Sequence, residues 1–242
     1  MKKLLSRGAP SIFQLSHVFR SKESGSAHAQ EFSMAEFYKL NIPFDQFILE
    51  TCDFIQLFTG TKPLTWISYK EAFLTYLSID PYQDLKSLRA LVEQKLHLHT
   101  DDLTDDDVLN VAMSSFIEPC FDKDVLTIVT EFPASQAALA QSFVNKQQDP
   151  VAFRFEIYHQ HLELANGYKE LKCPLELSRR FEKLNQDRLH LNKEAYPIDQ
   201  ELLNSMTTYF PDCCGVACGF DRLLMLEFKT NSIQDVLLIP SV

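Results

Sequence analysis

The chain has 242 residues, 45% hydrophobic and 23% charged, the proportions of an ordinary soluble globular protein, and its length can bury a full core in a single domain spanning 1–242. Twenty-three basic against 33 acidic residues leave a net charge of −10, which excludes the broad basic footprint of a nonspecific nucleic-acid binder. The six cysteines form no C-x-x-C pair, so reduced thiols and a cytoplasmic location are expected, and neither a signal-peptide h-region nor a membrane-length apolar run predicts a membrane partner.

Residues 12–20 and 31–38 alternate apolar and polar side chains with a period of two and predict two strands around a polar loop that holds Gly25 and His28. Parity on the second strand places Phe32, Met34, Glu36 and Tyr38 on one face, where a carboxylate and a phenol are unusual for a plain core. Arg20, closing the first strand, is the residue type that grips a phosphate in two-pronged fashion; an exposed hairpin arginine is the plain alternative.

Beyond Pro43, apolar residues from Phe44 to Phe58 recur at spacings of three and four and predict a helix closed by Gly60. Further helices are expected near 68–77, with Ser68 as cap, and near 85–96. The aspartates at 101, 102, 105, 106 and 107 suit the N-terminus of a helix beginning near Val108 better than a metal loop, because the glycine and distant glutamate of an EF-hand are missing. A strand is expected at 126–132, strands again within 152–171, and helices at 178–191 and 199–209; residues 213–228 pass through glycines into an apolar helix. Without regular β-α-β alternation, an α+β domain on an antiparallel sheet flanked by helices is favoured.

Two further constellations carry chemistry. In the first, Arg154-Phe155-Glu156 precedes Glu163-Leu164-Ala165-Asn166-Gly167-Tyr168-Lys169-Glu170. A turn near His159-Gln160 would make Glu156 and Glu163 direct cross-strand neighbours, a repulsion that a bound Mg²⁺ would offset; two solvated acids are the alternative. Asn166, Tyr168 and Glu170 share parity and Glu163 does not, so a bulge at Ala165 or Gly167 is required to unite them. In the second, Gly215-Val216-Ala217-Cys218-Gly219-Phe220-Asp221-Arg222 offers small residues that let a ligand approach a strand, followed by a helix that begins around Arg222.

The ordered set of an arginine strand, E-F-x-M-x-E-x-Y, E-L-A-N-G-x-x-E-L and G-x-x-x-G-x-D-R resembles the catalytic domain of class II lysyl-tRNA synthetases. It is more similar still to their single-domain paralogues, the elongation factor P lysine ligases. The stretch Phe132-Pro133-Ala134-Ser135-Gln136, the lack of a preceding anticodon-binding OB domain and Ala217 in place of the synthetases' glycine select the paralogue. The resemblance implies the cofactors ATP and Mg²⁺, with Arg20 on the α-phosphate, Arg222 on the γ-phosphate, His28 assisting and Phe32 stacked on adenine. It implies Glu156 and Glu163 as Mg²⁺ carriers, Glu36, Tyr38, Asn166 and Glu170 lining a lysine pocket, and Ala217 reshaping it toward (R)-β-lysine. Adenylation of lysine or (R)-β-lysine and transfer to a lysine of elongation factor P would follow; the acidic balance points away from tRNA, and the family is homodimeric.

Two departures stand out. The family reads M-K-R-L-L after a segment holding its dimer motif and a Ser-Pro-Glu stretch, whereas this sequence begins at Met1-Lys2-Lys3, so that motif region is expected to be absent. The family's F-R-x-E places a glutamate on the adenine base where Lys22, which cannot accept the adenine amine's hydrogen bond, stands here; neighbouring Glu23 replaces it only through a one-residue shift, and a strand slip inverts faces. A noncatalytic relative that binds nucleotide, lysine or a protein partner is the alternative these departures carry. His161 replaces a turn glycine and Cys173 an aspartate of the family pattern.

Overall fold

A computed structural model describes residues 1–21 and 25–237. Its strands are β1 (Ile12–Phe19), β2 (Glu31–Leu40), β3 (Leu64–Ser68), β4 (Leu126–Pro133), β5 (Ser142–Val144), β6 (Pro150–His159), β7 (Leu162–Lys169) and β8 (Cys213–Gly219). The helices are α1 (Lys2–Ser6), α2 (Phe44–Thr59), α3 (Tyr69–Leu77), α4 (Leu85–Leu96), α5 (Asp105–Ala112), α6 (Pro174–His190), α7 (Gln200–Thr208) and α8 (Phe220–Glu227).

Seven strands run in the order β1-β2-β8-β7-β6-β4-β3, with β5 paired to β6 beside them. Every pairing is antiparallel except β3 with β4, so the expected antiparallel sheet carries one parallel edge. Sequence alternation did not announce β3 or the three-residue β5. Both are short, and tertiary pairing rather than local pattern defines them.

Local signals set the helix ends. Gly60 takes φ +65 after α2, and Ser68 with Glu71 forms a reciprocal capping box on α3. Thr104 and Asp107 do the same on α5, which places Asp105, Asp106 and Asp107 in its first turn, as the aspartate-rich sequence suggests. A turn of π-helix (Met113–Ile117) and a 3-10 turn (Glu118–Cys120) prolong this element.

Helices α2 and α8 cover one face of the central strands. Phe47, Ile48 and Ile55 meet Phe155, Ile157, Leu164, Val216 and Leu223 there in the main core. On the opposite face, α3, α4 and α5 cover only the β4 end, through Tyr69, Phe73, Leu88, Val108, Val129 and Tyr158. The middle of that second face is left as a floor. Helix α6 does not cover the sheet. It packs with α7 through Leu177, Leu203 and Met206 against Leu171, because its mean composition is too polar to supply a second sheet-covering face.

Gly167 lies under the floor, where an added Cβ would sit 2.4 Å from the Phe155 ring. Gly167→Ala is expected to lower unfolding free energy by about 1–3 kcal/mol, and Phe155→Leu in the same chain to recover part of the loss. Denaturant midpoints of the two single variants and the double variant measure this coupling; strict additivity would refute the contact.

Candidate active site

Backbone register assembles the floor in rows. Glu36 pairs with Ala217, Ala217 with Asn166, and Asn166 with Glu156, so four side chains from β2, β8, β7 and β6 stand side by side. The next row is Tyr38, Gly215, Tyr168 and Arg154. Since side chains of one parity share a face, both rows lie on the side left open by α2 and α8.

Glu156 and Glu163 are not direct cross-strand partners. Glu156 faces Asn166, and Glu163 faces Tyr158. The turn falls at Gln160 and His161, one residue later than expected, with φ of 48° and 66°. Such paired left-handed residues fit a two-residue hairpin loop. The ladder then slips opposite Ile157 and Tyr158, leaving Leu164 as the extra residue on β7. Leu164 and Ala165 therefore both enter the core, and Glu163 joins the face of Asn166. The bulge required by the sequence is present, next to the position expected for it.

One cavity gathers Arg20, His28, Phe32, Glu163, Asn166, Ala217 and Arg222, together with Met34 and Asp221. Arg222, in the first turn of α8, donates from Nη1 to the Glu163 carbonyl at 2.7 Å and from Nε to the Ala27 carbonyl at 3.3 Å. Its Nη2 lies 2.8 Å from His28 Nε2, which must accept because a guanidinium only donates. The guanidinium of Arg20 stacks over the Phe32 ring at 5.2 Å. Asp221 holds β2 in place by accepting from the Ser33 amide at 2.5 Å. Lys22 and Glu23 lie outside the described residues.

Tyr38 and Glu170 lie farther along β8, grouped around Gly215, with Glu36 one row back opposite Ala217. A Cβ on Gly215 would come within 2.4 Å of the Tyr38 ring and 2.5 Å of Glu170 Oε1. Gln14 donates to Glu36 at 2.7 Å. Burial, then the Glu170 charge, pushes the Tyr38 phenol well up.

Between the two ends sits an acid cluster. Glu156 accepts from Arg154 at 2.5 Å and Asn166 at 2.9 Å on Oε1, and from the Tyr158 hydroxyl on Oε2. Glu163 has no side-chain hydrogen bond among the described residues, and burial followed by repulsion from Glu156 pushes it up to about 7. Glu118, from the 3-10 turn, is likewise pushed up to about 7 by burial and then Glu156. Asn166 Oδ1 and Arg154 Nε are buried without partners among the described residues.

Sequence reasoning missed Glu118, Tyr158 and Lys2. Parity with Arg154 and Glu156 could have flagged Tyr158, whereas Glu118 comes from a distant turn with no periodic signal. His159, expected in the turn, is buried and lies 3.2 Å from both Thr61 Oγ1 and the Val125 carbonyl, because the turn begins one residue beyond it.

The family model for class II tRNA synthetases (D, K and N) matches residues 1–242. A curated protein of Haemophilus ducreyi named elongation factor P–(R)-β-lysine ligase is 40% identical over 241 residues, covering 98% of this chain and 72% of its own length. Proteins of the same name from Salmonella typhi and Pasteurella multocida are each 38% identical over 98% of this chain and 73% of their own lengths. With that similarity and an α+β fold on a mostly antiparallel sheet, the chain belongs to the class II tRNA synthetase family (D, K and N), among the elongation factor P–(R)-β-lysine ligases.

Proposed function

We propose that the chain is an ATP-dependent ligase that activates (R)-β-lysine, or lysine, as an aminoacyl-adenylate and passes the acyl group to a lysine side chain of elongation factor P. The observation that carries this reading is the opposite polarity of the two ends of the β8 floor. Arg222, Arg20 and His28 lie at the Gly219 end, Tyr38 and Glu170 around Gly215, and Glu36 between them opposite Ala217. A triphosphate suits the first and an ammonium the second. Ligases with the same name at 38–40% identity support the amino acid and the acceptor.

Arg20 would hold the α-phosphate and Arg222 the γ-phosphate, supplying fixed positive charge where the attack builds negative charge. His28 would steady Arg222, Phe32 would stack on adenine, and Glu23 would receive the base. A carboxylate oxygen of the amino acid attacks the α-phosphorus, the bond to the β-phosphate breaks and pyrophosphate leaves. The amine of the acceptor lysine then attacks the carbonyl carbon, and AMP departs as the carbonyl–oxygen bond breaks. Asn166 and Glu36 flank Ala217, whose methyl narrows the middle of the floor.

The acid cluster fits Mg²⁺, which takes one or two carboxylates and fills its shell with phosphate oxygens and water. Glu163, whose side chain has no hydrogen bond among the described residues, and Glu156 beside it would hold the ion, and Asn166 Oδ1, unpartnered among the same residues, marks a polar group turned to the site. Bound there, the ion would neutralise triphosphate charge. No group of three or more His, Cys, Asp or Glu among the described residues is placed to hold a metal ion by itself.

A protein acceptor rather than tRNA accords with the net charge of −10. Phe13 and Phe19, 84% and 73% exposed on edge strand β1, support a homodimer. No helix among the described residues is long and apolar enough to cross a membrane, and all six cysteines are free; a cytoplasmic setting is proposed.

The purified chain is expected to catalyse (R)-β-lysine-dependent or lysine-dependent ATP–pyrophosphate exchange, reduced by about 10²-fold or more in Arg222→Ala. Amino-acid binding without exchange would instead favour a noncatalytic binding protein.

Metal-free stability offers a second test. Burial and then repulsion from Glu156 push Glu163 and Glu118 up to about 7 from an ordinary 4.5, so the folded state holds protons that the unfolded chain has released. Their contribution is complete below the ordinary value and is lost as pH rises through the folded value. The denaturant midpoint should fall between about pH 5 and pH 8, less steeply in Glu163→Gln, and Mg²⁺ should restore it at the upper end. A slope indifferent to Glu163→Gln would refute the assignment.

A further inference from the structure

The acid end of the floor already contains an ammonium. Lys2 Nζ lies 2.5 Å from Glu170 Oε2, with side-chain exposures of 18% and 2% for the pair. Glu170 is among the most deeply buried acids of the chain. Its other oxygen, Oε1, lies over Gly215 beside the Tyr38 ring, on the proposed amino-acid side.

Lys2 reaches this position from a helix fastened on its other flank. Lys3 pairs with Asp199 at 3.0 Å and Glu201 at 2.9 Å, Arg7 pairs with Glu201 at 2.8 Å, and Leu5 is fully buried. The clamps hold α1 against α7, so the Lys2 ammonium meets Glu170 from a defined direction.

Charge balance makes this contact consequential. A buried carboxylate with no cation beside it keeps its proton, and a neutral carboxyl is a poor receptor for an ammonium. Burial pushes Glu170 up, and the charge and hydrogen bond of Lys2 oppose that shift. Among the described residues, the other titratable groups that feel the Glu170 charge are Tyr38 from β2, Tyr168 from β7 and Cys213 and Cys214 from β8, none of which is cationic. Among the described residues, Lys2 is thus the cation that favours the ionised form of Glu170 against its burial.

We propose that Lys2 is a positioning residue for the substrate's side-chain amine: it occupies Glu170 Oε2, fixes the carboxylate in its ionised form and leaves Oε1 to receive the amine. This rests on the reading of the acid end as an amine site. A competing possibility, that Lys2 blocks the pocket as a tethered substrate mimic, makes the opposite prediction.

The test is calorimetric titration of the full chain with L-lysine and with 1,5-diaminopentane, between about pH 6.5 and pH 9, for wild type, Lys2→Met and Lys2→Arg. Lys2→Met should bind both amines about tenfold more weakly at the lower pH, the scale of one lost charge-assisted contact. Its affinity should recover as pH rises and Glu170 ionises, because the neutral form predominates below its raised pKa. Lys2→Arg should stay near wild type, and ATP binding should be unchanged in all three. Equal or tighter amine binding by Lys2→Met, or a loss independent of pH or shared with ATP, overturns the proposal. Failure of the wild type to bind either amine overturns it together with the amine site. Amine binding of the expected pattern without pyrophosphate exchange would uphold Lys2 and refute adenylation alone.

Discussion

The site depends on side chains that are absent from β8. Gly215, Ala217 and Gly219 project nothing larger than a methyl into the open face, and at Gly215 a single added carbon would strike both Tyr38 and Glu170. Since residues of one strand face recur every ~6.6 Å, these three positions make a trough about 13 Å long between the arginine end and the acid end. The same register that lays down this floor stands Glu36 and Asn166 on its two banks. A one-residue slip would turn both polar side chains into the apolar core, which holds the register firmly.

Halfway along the trough, Glu156 is a buried charge with every oxygen accounted for by Arg154, Asn166 and Tyr158. Satisfied in this way a buried carboxylate is tolerable, whereas loss of one donor would leave it exposed to the full desolvation cost. Arg154 is itself braced between the Phe132 ring at 4.4 Å and the Gln136 carbonyl at 2.8 Å. The stretch Phe132-Pro133-Ala134-Ser135-Gln136, noticed in the sequence only as a likeness, thereby acquires a physical task. It positions the arginine that positions the acid. Glu163 has no comparable support, and this asymmetry makes it the group of the pair available to something not yet in the site.

Much of this was legible in the sequence because it is written in parity. Strand alternation put Glu36 and Tyr38 on one face and Asn166, Tyr168 and Glu170 on another, and the structure aligns these faces into rows. Capping residues such as Ser68 and the glycine after α2 marked helix ends for local reasons. What parity cannot give is the place where a ladder slips. Glu156 and Glu163 were expected as direct partners because a hairpin turning at His159-Gln160 would pair them; the turn one residue later set Glu163 opposite Tyr158, and the extra residue Leu164 brought Asn166 opposite Glu156 on the same face. Glu118 and Lys2 were invisible for a different reason. Each arrives from a distant helical segment, and no period within one strand encodes a contact separated by 168 residues, as Lys2 is from Glu170.

The β6–β7 hairpin shows how such irregularities are tied together. Its turn holds His161 at φ 66°, a conformation that costs an L-residue roughly 1–2 kcal/mol and suits the glycine of the family pattern. His161 has a compensating contact unavailable to glycine: Nδ1 lies 3.3 Å from the Glu118 carbonyl, and only the ring nitrogen of that pair can donate. The hydrogen bond fastens the hairpin to the junction between the π-helical and 3-10 turns, where the Glu118 side chain leaves toward Tyr158, whose hydroxyl is 3.5 Å away. Turn, bulge and helical irregularity therefore act on the same small volume. The turn sets where β7 begins, the bulge turns Glu163 toward Asn166, and the helical junction adds Glu118 to the field felt by Glu163. A local departure at His161 is thus coupled through two hydrogen-bonded steps to the electrostatics of the acid cluster, although the ring itself takes no part in it.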